Sequence, residues 1–82
     1  MNLEIRLFAD LPKKVRASIT AVPGEAFILE LPEGTTLGQV FAHLGLEGEQ
    51  TLIGLVNGLR QLGDYELKDG DRIGIFPPVG GG

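Results

Sequence analysis

The sequence predicts a small α+β domain of two layers, one helix packed on a sheet, and three observations carry that reading. Apolar residues alternate near the N-terminus, a single amphipathic stretch in the middle has both helix-start and helix-stop signals, and the C-terminal third is cut into short apolar runs by Asn57-Gly58 and Asp69-Gly70.

Leu3, Ile5, Leu7 and Ala9 alternate with Glu4, Arg6 and Phe8. That period of two marks a half-buried strand, with Phe8 on the outward side beside Glu4 and Arg6. Residues 10 to 24 have no periodicity and hold Pro12, the basic trio Lys13, Lys14 and Arg16, and Pro23-Gly24. They read as a loop or ragged extension in which the basic trio is solvated. Phe27, Leu29 and Leu31 then alternate with Ala26, Ile28 and Glu30 to give a second strand ended by Pro32. A wide hairpin pairing the two strands fits the loop between them.

Pro32-Glu33-Gly34 turns the chain into the helix. Thr36 and Gln39 have the spacing of a capping box. Leu37, Val40, Phe41 and Leu44 fall on one face, Gly45 stands where a left-handed C′ residue belongs, and Leu46 follows to fold back over Phe41. A helix of two to three turns is stable only when packed on a sheet. His43 lies off the apolar stripe and reads as a surface residue. Leu52 to Val56 is a nearly continuous apolar strand whose inward register is open. Asn57-Gly58 makes a hairpin turn, and Leu59 to Leu62 make a short return strand. Residues 63 to 68 read as an irregular segment anchored by Tyr65 and Leu67. Asp69-Gly70-Asp71 turns into the last strand, Arg72 to Phe76, with Ile73 and Ile75 inward and Phe76 outward.

Eighty-two residues, 43% of them hydrophobic, suffice for one core with a thin margin of stability. There is no cysteine, so disulfides, thiolate metal sites and thiol nucleophiles are excluded. Neither a signal peptide nor an apolar run near the ~18 residues of a membrane span is present, so a soluble, cytoplasmic protein with no membrane partner is expected. A net charge of −4 argues against a nucleic-acid partner and suits docking on a positively charged protein.

The expected organisation is a domain of residues 1–76 followed by a flexible tail, 77–82. Pro77 and Pro78 end the strand because they donate no backbone N–H. Val79, Gly80, Gly81 and Gly82 then form a slender arm, the glycines lacking a Cβ that would obstruct a narrow cleft. The bland alternative is a frayed terminus.

Leu31-Pro32-Glu33-Gly34-Thr35-Thr36 before the helix, Val56-Asn57-Gly58, Leu67-Lys68-Asp69-Gly70-Asp71, and Phe76-Pro77-Pro78-Val79 with a terminal Gly81-Gly82 stand in one order and spacing. Together they resemble the ubiquitin-like sulfur-carrier family (the MoaD/ThiS type), most of all its molybdopterin branch. The resemblance spans nearly the whole chain and is weakest across residues 10 to 24. It implies a β-grasp fold: a mixed sheet of about five strands on one helix, first and last strands parallel at its centre. Gly80 departs from the alanine usual in the molybdopterin branch, and a Val-Gly-Gly-Gly end also occurs in the thiamine branch.

The resemblance further implies a chemistry. A ubiquitin-activating-type adenylating enzyme uses ATP to adenylate the Gly82 carboxylate. A persulfide from a sulfur-donor enzyme then displaces AMP, leaving a thiocarboxylate. The large subunit of molybdopterin synthase takes the tail, through Gly81, Gly80, Val79, Pro78 and Pro77, to build the dithiolene. The chain binds no cofactor or metal in this scheme and is not an enzyme on its own. It contributes a tethered reactant while partners supply acid–base groups and oxyanion donors.

With first and last strands parallel, Phe8 and Phe76 fall together at the end from which the tail leaves, and Ile53 or Leu55 extends the patch as a partner-binding surface. Two arrangements are open: an exposed aromatic patch, or a loop after Asp10 folded over Phe8. Two other functions compete. One is sulfur carriage to thiamine, tRNA or another acceptor, with or without conjugation to protein lysines. The other is a β-grasp interaction module whose tail does no chemistry.

Overall fold

β1 (Asn2–Leu7) is the strand on which the sheet is assembled. The computed structural model describes residues 1–46 and 52–77. Within them, β1 pairs antiparallel with β2 (Phe27–Glu30) and parallel with the last strand of the chain, Arg72–Phe76. Between these come a short helix α1 (Leu11–Lys14), the main helix α2 (Leu37–His43), β3 (Ile53–Val56) and β4 (Leu59–Gln61), which makes Arg72–Phe76 β5. β5 pairs antiparallel with β3, and β3 with β4, giving one five-stranded mixed sheet in the order β2-β1-β5-β3-β4. This is the ubiquitin-like β-grasp arrangement, with the expected parallel pair at its centre.

Strand parity decides which side is buried. Leu3, Ile5 and Leu7 of β1, Val56 of β3, and Ile73 and Ile75 of β5 are sealed on one side under Leu37, Val40, Leu44 and Leu46. Gly54 resolves the open register of β3. A Cβ there would lie 2.6 Å from Leu37 Cδ2 and 3.2 Å from Phe41 Cζ, so Gly54 and Val56 face the helix while Ile53 and Leu55 face away.

A helix of seven residues cannot hold itself together, and α2 is secured from both ends. At its start Leu37 N–H donates to the Tyr65 carbonyl (2.9 Å) and Gly38 N–H to the Gly63 carbonyl (2.8 Å). The Gln39 backbone N–H donates to Thr36 Oγ1 (3.3 Å), while Thr36 N–H donates to Gln39 Oε1 (2.8 Å). The N–H groups left free by the first turn are thus used. At its end Gly45 has φ +82°, Gly45 N–H donates to the Ala42 carbonyl (3.0 Å) and Leu46 N–H to the Phe41 carbonyl (2.9 Å). Those two bonds make a Schellman end and carry Leu46 into the core.

Two readings change and one is extended. Ala9 does not continue β1 inward; it is exposed with φ 56°, and the chain turns there into α1, whose Leu11 is fully buried. Four residues are too few to show a helical period, so a core residue sat unmarked in an apparently irregular stretch. Arg16 is an exposed loop residue as expected, but it also has a partner. Its N–H donates to the Leu44 carbonyl (2.9 Å) and its Nε to the His43 carbonyl (2.7 Å), so a cation occupies the C-terminal end of α2 where the helix dipole favours one. β4 ends at Gln61 rather than Leu62, which is exposed.

Candidate partner-docking site at the tail exit

The face of the sheet away from α2 is open, and its outward residues follow from parity and register. β1 contributes Glu4 and Arg6, and Phe8 just past its end; β5 contributes Arg72, Gly74 and Phe76; β3 contributes Ile53 and Leu55. Across the strands Phe76 is paired with Ile53, and Gly74 lies between Arg6 on one side and Leu55 on the other. All four predicted docking residues, Phe8, Phe76, Ile53 and Leu55, are therefore on one side of the sheet at the end where β5 finishes.

Phe8 and Phe76 are stacked, with ring centroids 4.3 Å apart and planes 2° from parallel. Phe8 is aligned for this because its N–H continues the ladder, donating to the Ile75 carbonyl at 3.1 Å. Each ring covers part of the other, so both are half-buried rather than exposed. The loop after Asp10 comes back to Phe8 at Gly24. Gly24 N–H donates to the Leu7 carbonyl (2.8 Å), and a Cβ on Gly24 would stand 3.8 Å from the Phe8 ring. The two arrangements left open by the residues are thus combined: the loop props the stack from the side and leaves its front uncovered.

Gly74 is the floor of this site. A Cβ there would touch Phe8 Cε2 at 3.4 Å and Phe76 Cε1 at 3.6 Å, so both rings lean over the bare backbone. The result is a groove of about 250 Å³ with Phe8, Phe76 and Leu55 as apolar walls and Glu4, Arg6 and Arg72 among its rim. Sequence reasoning missed Gly74 and the arginines. Parity did place Arg6 with Phe8 and Arg72 with Phe76, but only the strand order brings the two pairs to one groove.

The turn beside the groove is braced by side chains. Asn57 has φ 52°, its Nδ2 donates to Asp71 Oδ1 (2.9 Å), and its Oδ1 accepts from Arg72 N–H (3.0 Å). Asp71, nearly buried, also accepts from Lys68 N–H through Oδ2 (2.8 Å). The Asn57-Gly58 hairpin is thereby tied to the first residues of β5.

Pro77 is half-buried at the end of β5. The remaining predicted tail positions, Pro78, Val79, Gly80, Gly81 and Gly82, lie outside the described residues. Among the described residues no three His, Asp or Glu side chains converge as metal ligands, and no helix is long and apolar enough to cross a membrane.

Fold and site together define a small β-grasp protein of the ubiquitin-like class, with its open sheet face beside the strand that leads to the glycine-rich end. The ThiS family model matches residues 13–82, and the chain belongs to that family of ubiquitin-like sulfur carriers and modifiers. Solved structures agree. A putative molybdopterin converting factor, subunit 1, from Pyrococcus furiosus is 26% identical with a TM-score of 0.72, covering 96% of this chain and 99% of its own. A chain from the complex of subunits 1 and 2 of the molybdopterin-converting factor from Helicobacter pylori matches at 28% identity and TM-score 0.60, over 100% of this chain and 100% of its own. Small archaeal modifier protein 1 of Haloferax volcanii matches at 24% identity and TM-score 0.69, over 95% of this chain and 98% of its own, a likeness of fold. No curated protein matches the chain.

Proposed function

We propose that the chain is the sulfur-carrying small subunit of a molybdopterin synthase. The observation that carries this reading is the pairing of a ThiS-family β-grasp body with a Phe-Pro-Pro-Val-Gly-Gly-Gly end on its central strand. Likeness to molybdopterin-converting subunits over the full chain supports the branch.

A carboxylate at neutral pH is a poor electrophile, so activation comes first. A Gly82 carboxylate oxygen attacks the α-phosphorus of ATP in an adenylating enzyme and pyrophosphate leaves. The terminal sulfur of a donor persulfide attacks the acyl carbon and expels AMP. A thiol then cleaves the S–S bond, leaving the thiocarboxylate on Gly82 and a disulfide on the donor side. The ionised sulfur is a polarisable nucleophile, delivered to the large subunit's site at the high effective molarity of a tethered reactant. Gly81 and Gly82 offer no Cβ to the enclosing enzyme. The Phe8–Phe76 groove and Ile53 seat the body on each partner in turn. Catalytic groups come from those partners.

The test is intact mass spectrometry after incubation with ATP, the adenylating enzyme and the persulfide donor of the same genome. The expected product has one oxygen replaced by sulfur at Gly82; an unchanged mass sinks the carrier reading. Copurification with a large synthase subunit then separates molybdopterin from thiamine or tRNA as the acceptor pathway. A second reading, conjugation of Gly82 to protein lysines, is favoured by the likeness to the archaeal modifier protein. It predicts adducts of increased mass on lysines of cellular proteins in the producing organism.

A further inference from the structure

We propose that the open face docks on an acidic protein surface that seats one apolar side chain over Gly74. This deepens the carrier reading, on which it rests, by assigning the chemistry of the surface its partners present. It also reverses the expectation drawn from net charge.

The chain is acidic, yet most of its arginines stand on this face. Of four arginines, Arg6, Arg60 and Arg72 occupy outward positions around Gly74, and all three are exposed. Arg6 stands opposite Gly74 on β1, Arg72 is two residues earlier on β5, and Arg60 is opposite Leu55 on β4. None of the three has a carboxylate within salt-bridge distance among the described residues, where the Lys14–Asp10 pair is the ion pair formed. The acids at outward strand positions are Glu4, opposite Arg72, and Glu30, opposite Asn2 at the far end of β1. Around the Phe8–Phe76 stack the face is therefore cationic, in a chain of net charge −4.

An arginine guanidinium pairs with a carboxylate in a fork geometry and is desolvated at lower cost than an ammonium, so arginine suits a protein interface. The alkyl stems of Arg6 and Arg72 extend the apolar rim while their heads reach a partner. The groove, about 250 Å³, has room for a single large apolar side chain. An apolar plug flanked by Asp or Glu matches both features. Nucleic acid matches them less well, because three arginines are too few to neutralise a run of phosphates.

The experiment titrates the full-length chain against the purified adenylating enzyme and the large synthase subunit of the same genome, by calorimetry at low and high ionic strength. Arg6→Glu combined with Arg60→Glu is expected to weaken binding by roughly tenfold or more at low salt, the gap narrowing as salt screens the charges. Lys68→Glu, off this face, is expected to change affinity less than about twofold, in the range of an uninvolved surface charge. Gly74→Leu fills the groove and is expected to weaken binding at every salt concentration. Circular dichroism confirms that each variant is folded. If the wild-type chain binds and the double reversal binds equally well or more tightly, this inference is overturned while the carrier reading stands. Tighter binding of oligouridine than of either enzyme overturns it as well. A wild-type chain that binds neither enzyme removes the carrier reading and this inference with it.

Discussion

Asn57 does two separable jobs, and substituting it measures both. It adopts a left-handed backbone at φ 52°, and its amide joins Asp71 Oδ1 to the backbone N–H of Arg72. Asn57→Gly keeps the backbone geometry and deletes the side chain. The bond from Arg72 N–H is worth about 1 kcal/mol, and the bond to the Asp71 carboxylate about 1.5 kcal/mol, the low end for a charged partner because Asn57 is exposed. Losing both costs about 2.5 kcal/mol, which lowers Tm by roughly 10–20 °C in a domain of this size. Asn57→Ala loses the same bonds and adds about 1 kcal/mol of left-handed strain. The expected order of stability is wild type, then Gly, then Ala, read by urea denaturation with circular dichroism. A double-mutant cycle with Asp71→Ala is expected to return a coupling of about 1.5 kcal/mol between the two side chains. If Asn57→Gly unfolds within about 0.5 kcal/mol of wild type, the size of an ordinary surface substitution, the brace contributes nothing and the reasoning fails.

Gly54→Ala drives a methyl to 2.6 Å from Leu37 Cδ2 on a buried strand, and a loss of about 1–3 kcal/mol in chemical denaturation is expected from overpacking. Gly45→Ala meets φ +82° and the Arg16 backbone N at 3.1 Å, so at least about 1 kcal/mol is lost in the same assay. Arg16→Ala removes the bond to the His43 carbonyl and is expected to cost about 1 kcal/mol, with the amides of the last turn of α2 exchanging faster by NMR. Gly81→Ala is expected to melt with wild type yet accept sulfur at a rate lower by roughly tenfold or more, since small displacements at a reacting end are costly. Mass spectrometry of thiocarboxylate formation over time reads that rate.

Elements with a strong period were legible. β1 and β5 showed alternation, and α2 showed its stripe, its capping box and its Gly45 stop, all of which the structure reproduces. What stayed hidden depended on contacts distant in sequence. Leu11 sits in one turn of helix with no room for a repeating pattern, and Arg16 acts on carbonyls more than twenty-five residues away. The apolar run of β3 gave no parity of its own; the missing side chain at Gly54 set it by letting Leu37 and Phe41 approach. The docking face was half visible. Alternation put Phe8 and Phe76 outward and resemblance put the first and last strands side by side, but only the full order β2-β1-β5-β3-β4 assembles Arg6, Gly74 and Leu55 on one rung.

Because β5 lies between β1 and β3, the middle place in the sheet is empty until the last strand has been synthesised. A nascent or truncated chain lacking it has two strand pairs with no strand between them, and such long-range pairings are slow to form. Incomplete polypeptides thus present no finished sheet face, and the architecture itself withholds the Phe8–Phe76 groove from unfinished copies.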